Sequence, residues 1–187
     1  MRKVLVSEMI SLDGYFAGPH GDLSWHNVDD EFNALSIEQL DSVDTLLFGR
    51  VTYGFMASYW PSAEGLADDP IVAGKMNALA KIVFSTTLTH AEWQNSRIVK
   101  AQAAEEIATH KQQPGKDMLI FGSGTLVTTL AEHGLIDEYR LYVNPVALGN
   151  GTPLFAGLRE RLPLQLLHAQ TFRSGNVLLT YQPANKA

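Results

Sequence analysis

The chain has 187 residues, of which 45% are apolar and 18% charged, with a formal net charge of −6 and no cysteine. That length and balance suit one globular domain with a substantial core. The negative charge argues against a general nucleic-acid or membrane-surface binder, which needs clustered Lys and Arg, and the missing cysteines exclude disulfides, thiolate metal sites and cysteine nucleophiles. In chain order, Val4-Leu5-Val6 is a short apolar run of the kind that forms a strand buried on both faces. Glu8 follows at once, and no run approaches the ~20 apolar residues of a membrane span or resembles a secretory signal, so a cytoplasmic protein is expected.

Ser11-Leu12-Asp13-Gly14-Tyr15 leads into a loop with Gly and Pro at 18–21 that ends near Trp25. A loop placed directly after a first strand is a candidate ligand cover. Val28, Phe32, Leu35, Leu40 and Val43 have roughly helical spacing, with Asp29, Asp30 and Glu31 in the first turn, where the helix dipole favours acids. Residues 44–50 read as a second buried strand ending in glycine, 51–59 as a short helix, 61–70 as a loop and 76–80 as a helical turn. Ile82-Val83-Phe84 is a third strand closed by Ser85-Thr86-Thr87, and Arg97-Ile98-Val99 a fourth. Residues 101–111 form a helix stopped by Gln113-Pro114-Gly115. The apolar run Met118-Leu119-Ile120-Phe121 then halts at Gly122-Ser123-Gly124, and a helical pattern through Leu126, Val127, Leu130 and Ala131 ends at His133-Gly134. Residues 138–144 alternate, and strands at 164–172 and 177–181 flank the turn Arg173-Ser174-Gly175-Asn176. Strands alternate with helices first and follow one another later, which predicts an α/β sheet, mostly parallel, with antiparallel strands at its C-terminal edge. No linker, repeat or low-complexity segment interrupts the chain, so residues 1–187 are expected to form a single domain.

Three buried strands end in small or hydroxyl-bearing residues: Phe48-Gly49-Arg50, Phe84-Ser85-Thr86-Thr87 and Phe121-Gly122-Ser123-Gly124. Ligands of open α/β sheets bind beyond the carboxyl ends of the strands. Arg50 offers a planar fork for a phosphate, with a cation–π surface for an adenine. Ser85 and Thr86 can bond a second phosphate, and Gly122, Ser123, Gly124 and Thr125 would hold a pyrophosphate at a helix N-terminus. Each feature also has a plain reading, as a surface salt-bridge residue or a turn that needs small residues. Their agreement favours a phosphorylated nucleotide.

The chain resembles the dihydrofolate reductase-like superfamily, and within it the branch that includes the reductase domain of the bifunctional riboflavin-biosynthesis deaminase-reductase. The resemblance rests on Ser11-Leu12-Asp13-Gly14, Phe48-Gly49-Arg50-Val51-Thr52-Tyr53, Phe84-Ser85-Thr86, Phe121-Gly122-Ser123-Gly124-Thr125 and the stretch from Asn144-Pro145 to Leu154-Phe155, in that order over nearly the whole length. It implies a three-layer fold with helices on both faces of a central sheet of about eight strands. It also implies an NADPH-dependent reductase. Gly49, Arg50 and Thr52 would touch the adenosine and phosphate part of the cofactor, Ser85 and Thr86 would select its 2′-phosphate, and Gly122 to Thr125 would form the pyrophosphate turn. The loop from Asp13 to Trp25 would be a mobile cover, with Trp25 stacking on a substrate ring or anchoring the loop. A homodimer is consistent with the resemblance, and the long alternating C-terminal strands offer it a contact.

Two carboxylates compete for the catalytic position. Asp30 stands five residues after Trp25, the spacing that the resemblance implies for the acid of dihydrofolate reductases, and Asp13 belongs to the Ser-Leu-Asp-Gly motif. Asp30 is equally readable as a helix-start acid and Asp13 as a turn residue. The six His residues show no metal spacing, and no metal is expected. The expected chemistry is hydride transfer from NADPH to a pterin, folate or related heterocycle. The alternatives are reduction of the ribosylated aminopyrimidine of riboflavin synthesis, and a protein that binds NADPH or a pterin without turnover.

Overall fold

In the computed structural model, which describes residues 1–100 and 102–184, the short apolar runs become strands of one sheet. These are β1 (Val4–Ser11), β3 (Val43–Gly49), β4 (Ala80–Phe84), β5 (Ser96–Val99), β6 (Asp117–Phe121), β7 (Glu138–Asn144), β9 (Leu164–Thr171) and β10 (Val177–Pro183). Their order is β5-β4-β3-β6-β1-β7-β10-β9. Every pair from β5 through β7 is parallel, and β10 runs antiparallel to both β7 and β9. The central parallel strands β3, β4 and β6 carry the Val, Leu, Ile and Phe runs, because helices cover them on both sides. Two short strands, β2 (Tyr15–Ala17) and β8 (Thr152–Pro153), pair apart from the main sheet.

The helices are α1 (Asp30–Ser42), α2 (Arg50–Tyr59), α3 (Ala63–Asp68), α4 (Pro70–Ala78), α5 (Ala103–Lys111) and α6 (Gly124–Glu132). Alternate strand residues face opposite cores. Leu5, Leu46, Phe48, Val83 and Leu119 pack with Leu40 of α1, Tyr53 of α2 and Val72 and Met76 of α4. Val6, Leu47, Ile82 and Ile120 pack with Ile107 of α5 and Leu126, Val127 and Leu130 of α6. Full burial of each such side chain contributes roughly 1.5–3 kcal/mol. A third, smaller cluster joins Met9 and Tyr142 to Phe32 and Leu35 of α1.

Two expectations are corrected. Residues 61–70, read as a loop, contain α3, and the helical turn expected at 76–80 is the end of a longer helix, α4, that begins at Pro70. Both helices are started by caps. Ser62 Oγ accepts the Gly65 N–H, and Asp69 accepts the N–H groups of Ile71 and Val72, with Pro70 in the first helical position. The loop after β1 is also less open than its glycines imply, because β2 ties it to β8. Ala101, the expected first residue of the helix at 101–111, lies outside the described residues; the described helix begins at Ala103. No helix among the described residues is long and apolar enough to cross a membrane.

Charged side chains lock the ends of the strands. Arg2 pairs with Asp44 and donates to Thr45 Oγ1, and Lys111 pairs with Asp137. Lys81, 1% exposed, donates to the carbonyls of Asn77, Leu79 and Gln94 and lies 4.3 Å over the Trp93 ring. Lys81→Met would keep the stem and strand those three carbonyls. Urea unfolding should show a loss of about 1–3 kcal/mol; an unchanged midpoint would mean that the ammonium is dispensable.

Candidate functional site

β6 stands between β3 and β1. The chain leaves β1 and β3 for α1 and α2 on one face of the sheet, and leaves β6 for α6 on the other. A crevice therefore opens beside β6 at the carboxyl edge, the position where open α/β sheets bind ligands. The backbones meet there at close quarters. A Cβ on Gly49 would run into Ser123 Oγ, and one on Gly124 would lie 3.0 Å from the Phe16 ring and 3.1 Å from the Leu154 carbonyl. Gly122 has φ +65°, and a Cβ on it would lie 3.1 Å and 3.2 Å from Thr52 Cγ2 and Oγ1. Gly49, Thr52, Gly122, Ser123 and Gly124 are thus one contiguous surface.

That surface is rich in donors. α1, α3 and α4 have side-chain caps, from Asp29, Ser62 and Asp69. α2, α5 and α6 have none, and of these α2 and α6 start at this surface, where their first N–H groups and positive dipole ends stay open. The hydroxyls of Ser123, Thr125 and Thr86 make no hydrogen bond among the described residues, and Arg50 makes no ion pair among them. Arg50 shares a cavity of about 450 Å³ with Phe84, Ser85, Thr86, Thr87 and Val99. Ser85 Oγ accepts the N–H groups of Thr87 (3.2 Å) and Leu88 (2.9 Å) and lies 3.5 Å from Thr87 Oγ1. No carboxylate lines this cavity. A larger cavity, about 870 Å³, lies on the other side of Arg50 between α2 and the Leu88–Gln94 stretch. Apart from Arg50 it shares none of the strand-end residues. Open helix ends, unpaired hydroxyls and an unpaired guanidinium fit the phosphates of a dinucleotide along Arg50, Ser85 and the Gly122 turn.

The carboxyl groups divide sharply. Asp13 accepts from Ser11 Oγ (2.7 Å) and from the N–H groups of Leu148 (3.0 Å) and Gly149 (2.7 Å). The Ser11 hydroxyl first, then the two backbone donors, lower its pKa to about 2. It anchors the loop at 145–151 as an ionised carboxylate, with both oxygens engaged. Asp30 is exposed in the first turn of α1, without a hydrogen bond or ion pair among the described residues. The capping is done by Asp29, which accepts the Phe32 N–H at 2.7 Å. An amide network fixes where α1 begins. Asn144 Oδ1 accepts the Asn27 N–H, and Asn176 Nδ2 donates to the Asn27 carbonyl. Trp25 is half-buried, donates its indole N–H to the Asp22 carbonyl (3.0 Å) and stands edge-on to His26.

The apolar pocket expected around an acid surrounds a different residue. Glu8, on β1, is 9% exposed and its Oε2 has no hydrogen-bond partner. Burial raises its pKa from 4.5 to about 8, against a small opposing effect of the Gly122 N–H. In the sequence it was visible only as an acid interrupting an apolar run; the β1 register is what turns it inward.

The sheet order and the layer of helices on each face define a dihydrofolate reductase-like fold. Dihydrofolate reductase from Enterococcus faecalis, solved with NADP(H), superposes with a TM-score of 0.64 at 16% identity, over 98% of this chain and 97% of that one. Residues 2–178 match the family described as the RibD C-terminal domain, and the chain belongs to that family. It is 31% identical over 180 residues to the uncharacterised protein YyaP of Bacillus subtilis, covering 96% of this chain and 94% of that protein. A Shewanella sp. PV-4 structure, named as a candidate riboflavin biosynthesis protein, matches with a TM-score of 0.73 and 25% identity over 98% and 99% of the two chains. The family supports a reductase of the riboflavin-pathway type.

The buried acid gives the fold a pH signature. Folded Glu8 keeps a proton that the unfolded chain has lost, so its contribution is fully present below pH 4.5 and declines as pH rises toward about 8. Glu8→Gln removes that decline. Its thermal stability should match wild type near pH 5 and exceed it at pH 8–9, by on the order of a few kcal/mol. A difference that does not vary with pH would show that Glu8 ionises freely.

Proposed function

We propose that the protein is an NADPH-dependent reductase that delivers hydride to a pterin, folate or related heterocycle. The observation that carries this reading is the convergence of Arg50, Ser85 and Thr86 on one cavity beside the uncapped ends of α2 and α6. Bound there, NADPH would supply the hydride. Arg50 and the hydroxyls of Ser85 and Thr86 would hold the 2′-phosphate, Gly49 and Thr52 the adjoining ribose and phosphate, and Gly122, Ser123, Gly124 and Thr125 the pyrophosphate. Asp30 is the carboxylate open to a substrate on the α1 side. A heterocycle lying over it would exclude water, and Asp30 or a water it orders would then pass a proton to the reduced ring. Trp25 would border the ring. Asp13 would keep the loop at 145–151 in place. We assign the activity to one domain, in the cytoplasm, and leave room for a homodimer through the C-terminal strands.

Membership of the RibD C-terminal domain family favours a second reading, reduction of a ribosylated aminopyrimidine. That substrate carries a phosphate, yet residues 10–30 contain no Lys or Arg to receive it. A binder of NADPH or a pterin without turnover is the reading from another class; it is motivated by a nucleotide surface better defined than the acid.

NADPH fluorescence titration, with NADH as control, separates these readings. Saturable binding that prefers NADPH is expected, and Arg50→Ala should weaken it about tenfold or more while changing NADH binding little. Equal loss for both cofactors would remove Arg50 from 2′-phosphate selection. Under a substrate screen of dihydrofolate, pterins and pyrimidines, Asp30→Asn should cut turnover by roughly 10²-fold with NADPH affinity intact. Unchanged turnover would exclude Asp30 from the chemistry, and binding without oxidation across the panel would favour the non-catalytic reading.

A further inference from the structure

β1 and β6 pair only as far as Ser7 and Phe121, while β1 continues beside β7 to Ser11. Glu8 is the first residue of β1 beyond the last β1–β6 pair, at the mouth of the crevice. It lies on the same face of the strand as Val6 and Ile10, toward α6. Its Oε2 is 3.4 Å from the point where a Gly122 Cβ would stand, and Thr52 Oγ1 is 3.2 Å from the same point. The surroundings supply no cation: the Gly122 turn on the β6 side, Leu141 opposite on β7, Thr52 on α2, and Phe16 and Leu154 around Gly124. Two other titratable groups are buried on this side among the described residues: Tyr139, whose hydroxyl also lacks a partner and whose ionisation burial disfavours, and Lys111 of α5, which is paired with Asp137. Apart from the Gly122 N–H nothing answers this carboxyl, and a buried oxygen without a partner is costly where an apolar side chain would pack more stably. The cost has an explanation if the missing partner is a ligand.

We propose that Glu8 is a ligand-binding residue of the crevice, donating its carboxyl O–H to a polar group of the dinucleotide that enters between β1 and the Gly122 turn. This rests on the nucleotide reading above and adds to it a residue on the face opposite Asp30. With its pKa near 8, Glu8 carries the required proton at neutral pH. Above that, an anion stands beneath the turn assigned to the pyrophosphate and repels it. Cofactor affinity should therefore fall as the solution becomes alkaline, through a group that touches no phosphate directly.

The test is NADPH titration of wild type, Glu8→Gln and Glu8→Met from pH 6.5 to 9.5, each protein first shown to melt cooperatively. Wild-type affinity should drop about tenfold across the alkaline half of the range. Glu8→Gln keeps a donor that cannot ionise; it should bind within about twofold of wild type at pH 7 and stay level above pH 8. Glu8→Met has no donor and should bind about tenfold more weakly at pH 7. An infrared difference spectrum of bound minus free protein should contain a shifted protonated-carboxyl band that Glu8→Gln lacks. Identical pH profiles for wild type and Glu8→Gln, or full affinity in Glu8→Met, would overturn the proposal and leave the reductase reading standing. Failure of all three proteins to bind NADPH would remove the nucleotide reading and this one together.

Discussion

The carboxyl edge of the sheet leaves no room for side chains at three backbone crossings. Gly49 abuts Ser123, Gly124 abuts Phe16 and the Leu154 carbonyl, and Gly151 abuts the Ala17 carbonyl. Everything at the site follows from that proximity. It brings the starts of α2 and α6 side by side, with their N–H groups facing the crevice and no side-chain cap on either. It also joins the loop after β1 to the segment after β7, because Gly151 and β8 fit against β2 only if nothing projects between them. A donor surface made of backbone is rigid in a way that a set of long side chains is not, and it needs no reorganisation to meet an anion.

Three carboxyl groups near this edge have three different states, each set by surroundings. Asp13 is held ionised by three donors, Glu8 is held neutral by an apolar enclosure, and Asp30 stands in water. The same functional group is therefore bonded at one position, dry at another and exposed at a third within one small region. The division places the buried acid and the exposed one on opposite faces of the sheet.

Much of this architecture was legible in the residues. Val4-Leu5-Val6, Leu46-Leu47-Phe48 and Leu119-Ile120-Phe121 are strands because nothing polar interrupts them, and Gly49 and Gly122 mark where the chain turns after the last two. α3 and the start of α4 are not read from the sequence although their signals are present: Ser62 before Ala63, and Asp69-Pro70 at the start of a helix. Gly and Asp between 61 and 70 read as loop composition and masked the caps. The status of the acids was out of reach for another reason. Asp13 is defined by Leu148 and Gly149, and Glu8 by Gly122 and Thr52, all far away along the chain. Local pattern shows that an acid is present; only the tertiary register shows whether it is dry, bonded or wet.

The placement of β1 also bears on how the chain is made. β1 leaves the ribosome well before its neighbours, β6 and β7; the Lys3 N–H bonds Asp117, 114 positions later. Pairing across such a separation is slow, because loop closure must precede any gain from the contact. Until residues 117–144 have been synthesised, Val4 to Val6 is an apolar strand with both edges open. The centre of the finished sheet is therefore the part that waits longest for its partners, and the nascent chain is most exposed to aggregation during that interval.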